Sequence, residues 1–203
     1  MLDQLIQLII LVLASIFVMI IHELPKAILF KKIYQKNNGS YKSNIYALHQ
    51  YIDPIGLIFS VTNLAGFSKP FVYRYNDKKT NKVLGITGYI SLAITFFISI
   101  FLLHLMNLNL IHSKGNNISF LQSFVYSFLL YVASTSIGMF LVNLFPIATF
   151  NMGLLIASKS SKSYYSIISK DYFIKILLIL CMLFGVISKA AAIIINLFLF
   201  KIF

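Results

Sequence analysis

The sequence predicts an all-α integral membrane protein, one membrane domain over residues 1–203 with about four transmembrane helices and a short re-entrant or interfacial element. Three observations predict it. Hydrophobic residues make up 59% of the chain and charged residues 11%, where soluble domains carry about 25% charged residues. The apolar residues come in runs longer than a globular core helix, and the basic residues gather between those runs. The 17 Lys+Arg against 5 Asp+Glu give a net charge of +12. In a soluble chain that excess would point to nucleic acid. Beside long apolar segments it marks cytoplasmic loops instead, so the lipid bilayer is the expected partner and nucleic acid is not.

The spans follow in order. The first apolar segment runs from about Leu5 to Phe30, and Asp3 stands where a signal peptide would carry positive charge, so this segment reads as retained. The next three run from about Leu84 to Leu110, Phe120 to Phe145 and Tyr172 to Phe200. Each exceeds the roughly 20 residues that cross a 30 Å hydrocarbon core. The stretch from Ile55 to Phe67, interrupted by Gly56 and Gly66, is too short to cross and reads as the re-entrant or interfacial element. Lys189, inside the fourth segment, is costly at bilayer depth; it snorkels or marks a break between a span and a shorter helix. The Ser/Lys-rich run Ser158 to Lys170 reads as a solvated loop. Cys181, the single cysteine, lies in an apolar run and forms no intrachain disulfide.

Basic residues set the orientation. Loop 31–83 holds nine: Lys31, Lys32, Lys36, Lys42, Lys69, Arg74, Lys78, Lys79 and Lys82. Loop 146–171 holds Lys159, Lys162 and Lys170, and the loop between the second and third spans holds Lys114. Loops 31–83 and 146–171 are therefore expected in the cytoplasm with both termini outside. The abundance of Ile, Lys, Asn, Tyr and Phe suits an AT-rich bacterial genome, so the expected location is a bacterial cytoplasmic membrane.

With only five carboxylates, their positions are informative: Asp3, Glu23, Asp53, Asp77 and Asp171. Glu23 follows His22 in the first span. About 26 Å of helix separates Leu5 from His22 and about 13 Å separates His22 from Lys31, which places the pair inside the membrane nearer its cytoplasmic face. An ionisable pair at that depth is a functional candidate. The string His22-Glu23-Leu24-Pro25-Lys26 is similar to His-Glu-x-x-His, in which two His on one helix face bind zinc and the Glu acts as general base. Here Lys26 takes the place of the second ligand, and Pro25 removes a helical hydrogen bond and should kink the helix. Glu23 and Lys26, three residues apart, can pair on one face.

Two further strings share this cytoplasmic end. Asn143-Leu144-Phe145-Pro146-Ile147 closes the third span, with Asn151 and Gly153 shortly after. His49-Gln50-Tyr51-Ile52-Asp53-Pro54-Ile55-Gly56 precedes Gly66-Phe67-Ser68-Lys69-Pro70. All four prolines of the chain fall in these strings.

Together these strings resemble the site-2 proteases, intramembrane zinc metalloproteases, in their compact bacterial and archaeal branch without a PDZ domain. That branch carries His-Glu-x-x-His, then His-Ile-Asp-Pro-Ile-Gly and Gly-Trp-Ala-Lys-Pro, then Asn-x-x-Pro-x-Pro-x-x-Asp-Gly, and residues 51–56, 66–70 and 143–147 match in order. The resemblance implies a site-2-protease-like core over about residues 10 to 200. It implies that His22 is a vestigial zinc ligand and Glu23 a vestigial general base, with Lys26 and Asn151 at the other two ligand positions. Met152 replaces the glycine after the aspartate, and Tyr51 stands where the branch often has His. It implies a groove for a partner's transmembrane segment at Asn143 and Pro146.

Two of three ligand positions are substituted, so the expected protein is a non-catalytic pseudoprotease without a cofactor that binds or regulates a membrane partner. Zinc with one aspartate carries the same net charge as an ammonium with an amide, so Lys26 can stand in for the metal. The alternative is a divergent active zinc protease that rebuilds a metal site from His22, His49 or Asp53; His104 and His112 lie toward the opposite face. An unrelated small transporter or immunity-type membrane protein would need further polar residues around a common cavity.

Overall fold

The computed structural model describes residues 2–38, 44–71, 77–112 and 120–200, excepting the side chains of 35–38, 108–112 and 199–200. Lys42, Arg74 and Lys114, used for the orientation, lie outside the described residues, as do the side chains of Lys36 and His112. The described chain is helical: α1 (Leu2–Asn38), a 3-10 turn (Leu48–Tyr51), α2 (Pro54–Asn63), α3 (Lys78–His112), α4 (Phe120–Asn143), α5 (Asn151–Lys159), α6 (Ser161–Leu183) and α7 (Val186–Phe200).

Three helices, α1, α3 and α4, are long and apolar enough to cross a membrane, and α6 with α7 makes a fourth crossing if the bent pair counts as one. This is a membrane protein with several spans. Helix α1 runs on through Pro25 to Asn38 rather than ending there. The three long helices pack on one another in alternating direction. Phe30 of α1 meets Leu84 of α3, and Tyr89 Oη donates to the Asn143 carbonyl at the end of α4 (2.6 Å). At the other end, Gln7 Nε2 reaches Ser127 Oγ (3.4 Å). The end of α1, the start of α3 and the end of α4 thus share one end of the bundle, and the described lysines of both long connections gather there.

Short polar residues line the packed faces. Thr95, Ser99, Ser134 and Thr135 are buried and return their hydroxyls to carbonyls one turn back at 2.7–2.8 Å. Small side chains let helix backbones approach where burial of apolar surface drives little.

The element between the first two long helices enters the bundle. Asp53 caps α2 by accepting from Gly56 N (2.9 Å), with Pro54 at its first position. Leu57 of α2 packs against Val18 and Met139, while Phe59 and Phe67 pack with Val142 and Met182. The chain then returns without regular structure through 64–71. Non-helical backbone at membrane depth is tolerated only where protein covers it, and Ala65, Gly66 and Ser68 are buried. The hairpin is tight because Gly56 faces the Phe67 carbonyl and Gly66 faces Ser60 Oγ, leaving no room for a Cβ at either glycine.

One expectation changes, and one left open is decided. The run Ser158 to Lys170 is helical rather than a solvated loop. Ser160 caps α6 by accepting from Ser163 N, and one face of α6 is docked. Tyr164 packs on Ala148 and Ala157, and Asp171 Oδ1 accepts from Ala148 N (3.0 Å). Of the two readings of the fourth segment, a break between a longer and a shorter helix is the one found. The segment breaks at Phe184 and Gly185 with a 59° bend, and Gly185 takes a φ of +66° that a side chain would resist. Helix α7 packs chiefly on α4, with Ile195 and Phe198 against Leu103 and Leu129.

The outer face of α6 passes from Lys162 and Tyr165 through Tyr172 and Phe173 to Ile176, Leu177 and Leu180, all exposed. Lys175, also exposed on this face, pairs with Asp171 (2.6 Å).

Candidate functional site

Five residues from three parts of the chain converge at the basic end of the bundle. His22, Glu23 and Lys26 come from one face of α1. Ser68 comes from the irregular segment that returns after α2, and Asn151 begins α5. All are buried, His22 and Glu23 at 2% exposure and Asn151 at 1%.

Lys26 Nζ donates to Glu23 Oε1 (2.6 Å) and to Asn151 Oδ1 (3.2 Å). An ammonium can only donate, which orients the Asn151 amide and directs Nδ2 at His22 Nε2, 2.9 Å away. Nε2 is therefore the lone-pair nitrogen and Nδ1 carries the proton. That proton goes to Ser68 Oγ (2.6 Å), and Ser68 passes its own to Glu23 Oε1 (2.8 Å). The bonds close a ring, His22 to Ser68 to Glu23, to Lys26, to Asn151 and back to His22. Glu23 Oε2 accepts from the Phe71 amide (3.2 Å). A closed network of this kind removes the cost of unpaired polar atoms in a low-dielectric interior.

Surrounding elements hold the ring in place. Asn143 Oδ1 accepts from Asn151 N (3.2 Å) and Asn143 Nδ2 donates to Met139 O (2.9 Å), so this amide is engaged within the chain. Pro146 is half-buried in the turn between them. Gly88 of α3 lies directly against the Asn151 amide, where any Cβ would collide with it. Tyr51 is fully buried. Its hydroxyl donates to the Ile45 carbonyl, its ring meets Phe71 at 6.1 Å, and its carbonyl accepts from Lys69 N (2.9 Å). These contacts fix the segment that carries Ser68. Glu23 and Lys26, with Phe71, Leu84 and Leu154, line a narrow crevice.

Other candidates stand apart. His49 is exposed in the 3-10 turn, and Asp53 is committed to capping α2. The set His22, His49 and Asp53 does not assemble, and among the described residues no three His, Cys, Asp or Glu converge on a common point. The donor chemistry at the ring does not suit zinc either. A catalytic zinc site takes three protein ligands and an open position, whereas here one imidazole nitrogen faces an amide NH₂ and an ammonium.

Ser68 was not among the expected site residues. The signal was present, because the hydroxyl stands where the Gly-Trp-Ala-Lys-Pro pattern has a methyl group. The Phe71 amide and Gly88 had no such signal.

No family model, curated protein or solved structure matches the chain.

Proposed function

We propose that this chain is a non-catalytic member of the site-2 protease group. It sits in a bacterial cytoplasmic membrane with both termini outside and binds or regulates a partner's transmembrane segment. The observation that carries the reading is the position of Lys26. Its ammonium lies between Glu23 and Asn151, two of the positions that the motif comparison assigns to base and ligand, and it joins them by hydrogen bonds. A cation built into the chain then does the electrostatic work of a bound one.

Reaction chemistry is disfavoured by the same contacts. Glu23 accepts from an ammonium, a hydroxyl and a backbone amide, so as a base it would have to give up these bonds. His22 has both ring nitrogens engaged. The partner contact expected at Asn143 and Pro146 would use Pro146 and the exposed Leu144 beside it, because Asn143 is occupied with Asn151.

Metal analysis of the purified protein tests the reading. Substoichiometric zinc, unchanged in His22→Ala, is expected. One zinc per chain, lost in His22→Ala, would overturn it in favour of an active metalloprotease.

A further inference from the structure

Among the described residues three buried side-chain hydroxyls find no hydrogen-bond partner, those of Ser15, Ser60 and Ser136. For Ser136 the cause lies in its own helix. Its neighbours Ser134 and Thr135 return their hydroxyls to the carbonyls of Leu130 (2.8 Å) and Tyr131 (2.7 Å). The corresponding acceptor for Ser136 is the Val132 carbonyl, which already takes a further bond from Thr135 Oγ1 at 3.3 Å. A buried hydroxyl whose proton is unspent is costly in a low-dielectric interior.

Ser136 also lines a cavity of about 160 Å³ between α3, α4 and α7, and it is the one polar side chain among the described residues of the wall. Phe96 and Phe97 of α3, Phe140 of α4 and Phe198 of α7 contribute four aromatic rings. Phe96 is buried and Phe97 is 52% exposed; Phe198 meets both edge to face, at 5.5 and 5.4 Å. A dry apolar cavity of roughly 150 Å³ takes up a benzene ring, and aromatic rings favour tilted and edge contacts with one another. Phe96 and Phe97 stand near the middle of α3, a helix long and apolar enough to cross a membrane, so an occupant arrives from the hydrocarbon.

We propose that this cavity binds a lipid-soluble aromatic ring bearing one oxygen acceptor, as in an aryl ether, a phenol or a quinone. The ring lies among the four phenylalanines and its oxygen accepts from Ser136 Oγ. The unspent hydroxyl selects this occupant over a lipid acyl chain or the aliphatic side chain of another helix. Either of those would fill the space and leave the proton without an acceptor. The cavity shares no lining residue with the ring at His22 or with the contact at Leu144 and Pro146, so the zinc measurement has no bearing on it.

The test uses the full chain in phosphatidylcholine vesicles and two photoreactive aryl diazirines of one shape, the first bearing a methoxy group and the second an ethyl group in its place. Labelling around Phe97 and Phe140 is read by peptide mass spectrometry. It is divided by labelling at Ile9 and Leu13, which are exposed on α1 and report the reagent in the bilayer. The ratio for the methoxy reagent is expected to be about fivefold that for the ethyl reagent. Ser136→Ala should remove the difference and leave the unfolding midpoint in detergent unchanged or raised, because it deletes an unpaired hydroxyl. Ala93→Leu, which fills the cavity from α3, should lower both ratios. Equal ratios in the unmodified chain, a methoxy preference that survives Ser136→Ala, or labelling undiminished in Ala93→Leu overturns the proposal. So does a lowered midpoint in Ser136→Ala, which would show the hydroxyl already bonded within the chain. Should Ala93→Leu fail to fold, Ser136→Ala decides alone.

Discussion

Lys26 Nζ and Asn151 Oδ1 lie 3.2 Å apart across 125 residues of sequence, and the same ammonium is 2.6 Å from Glu23 Oε1. The contact ties α1 to the start of α5 through a single buried cation. It also sets the direction of every other proton in the ring.

Removing that cation should be costly. Lys26→Met leaves the Glu23 carboxylate buried without its counter-charge, and a loss of about 3 kcal/mol is expected. Glu23→Leu combined with Lys26→Met should recover a large part of it, because no charge is then stranded. Denaturant unfolding in detergent reads both variants; a stability unchanged in Lys26→Met would count against the ion pair as a structural element.

Lys26→His together with Asn151→Asp should create a zinc site with His22, since the three side chains would then match the ligand set of the resembling family. Zinc titration of the purified double variant is expected to approach one ion per chain, and the single variants should bind much less. Failure of the double variant to bind zinc would mean that the positions do not correspond.

Ser68→Ala interrupts the ring at its only hydroxyl, leaving His22 Nδ1–H without its acceptor and Glu23 Oε1 with one donor fewer. A loss of about 1–3 kcal/mol is expected. Amide exchange should rise in 65–71, the segment that Ser68 anchors, and protection there equal to that of the unmodified chain would show that Phe71 and Tyr51 hold the segment unaided.

Outside the spans, Asp77 governs the start of α3. Hydrogen bonds from Thr80, first Oγ1 (2.6 Å) and then the backbone amide (2.9 Å), hold its carboxyl below the usual Asp value. A folded-state pKa that is depressed favours the fold above the unfolded pKa, and the contribution is lost as pH falls through the folded value. Protection of the Thr80 and Asn81 amides, taken as the exchange rate relative to the intrinsic rate at each pH, should fall on acidification through that range. In Asp77→Ala that protection should be low at every pH and show no such fall.

Parts of the site were legible because the chain has so few acids. Glu23 beside His22 in an apolar run had few alternative explanations, and the count of basic residues brought the end of α1 and the end of α4 to one side before any coordinates. The helical state of Ser158 to Lys170 was not legible. Its composition is that of a loop, and it folds because Tyr164 and Asp171 find Ala148 across the α5–α6 turn. A break in the last segment was one of the two readings of Lys189, but its place at Gly185 was not legible. A glycine in an apolar run permits a break, and here packing of α7 on α4 accompanies it.

The sequence by itself determined that the chain is helical and membrane-spanning, and which side chains would be expensive to bury. Those properties are sums over neighbouring residues: apolar length against bilayer thickness, and charge against burial. Only the tertiary structure decided who pairs with whom. Hydrogen bonds act over about 3 Å with strict direction, so nothing short of the folded arrangement could set Asn151 between Lys26 and His22 and bring Ser68 to both His22 and Glu23.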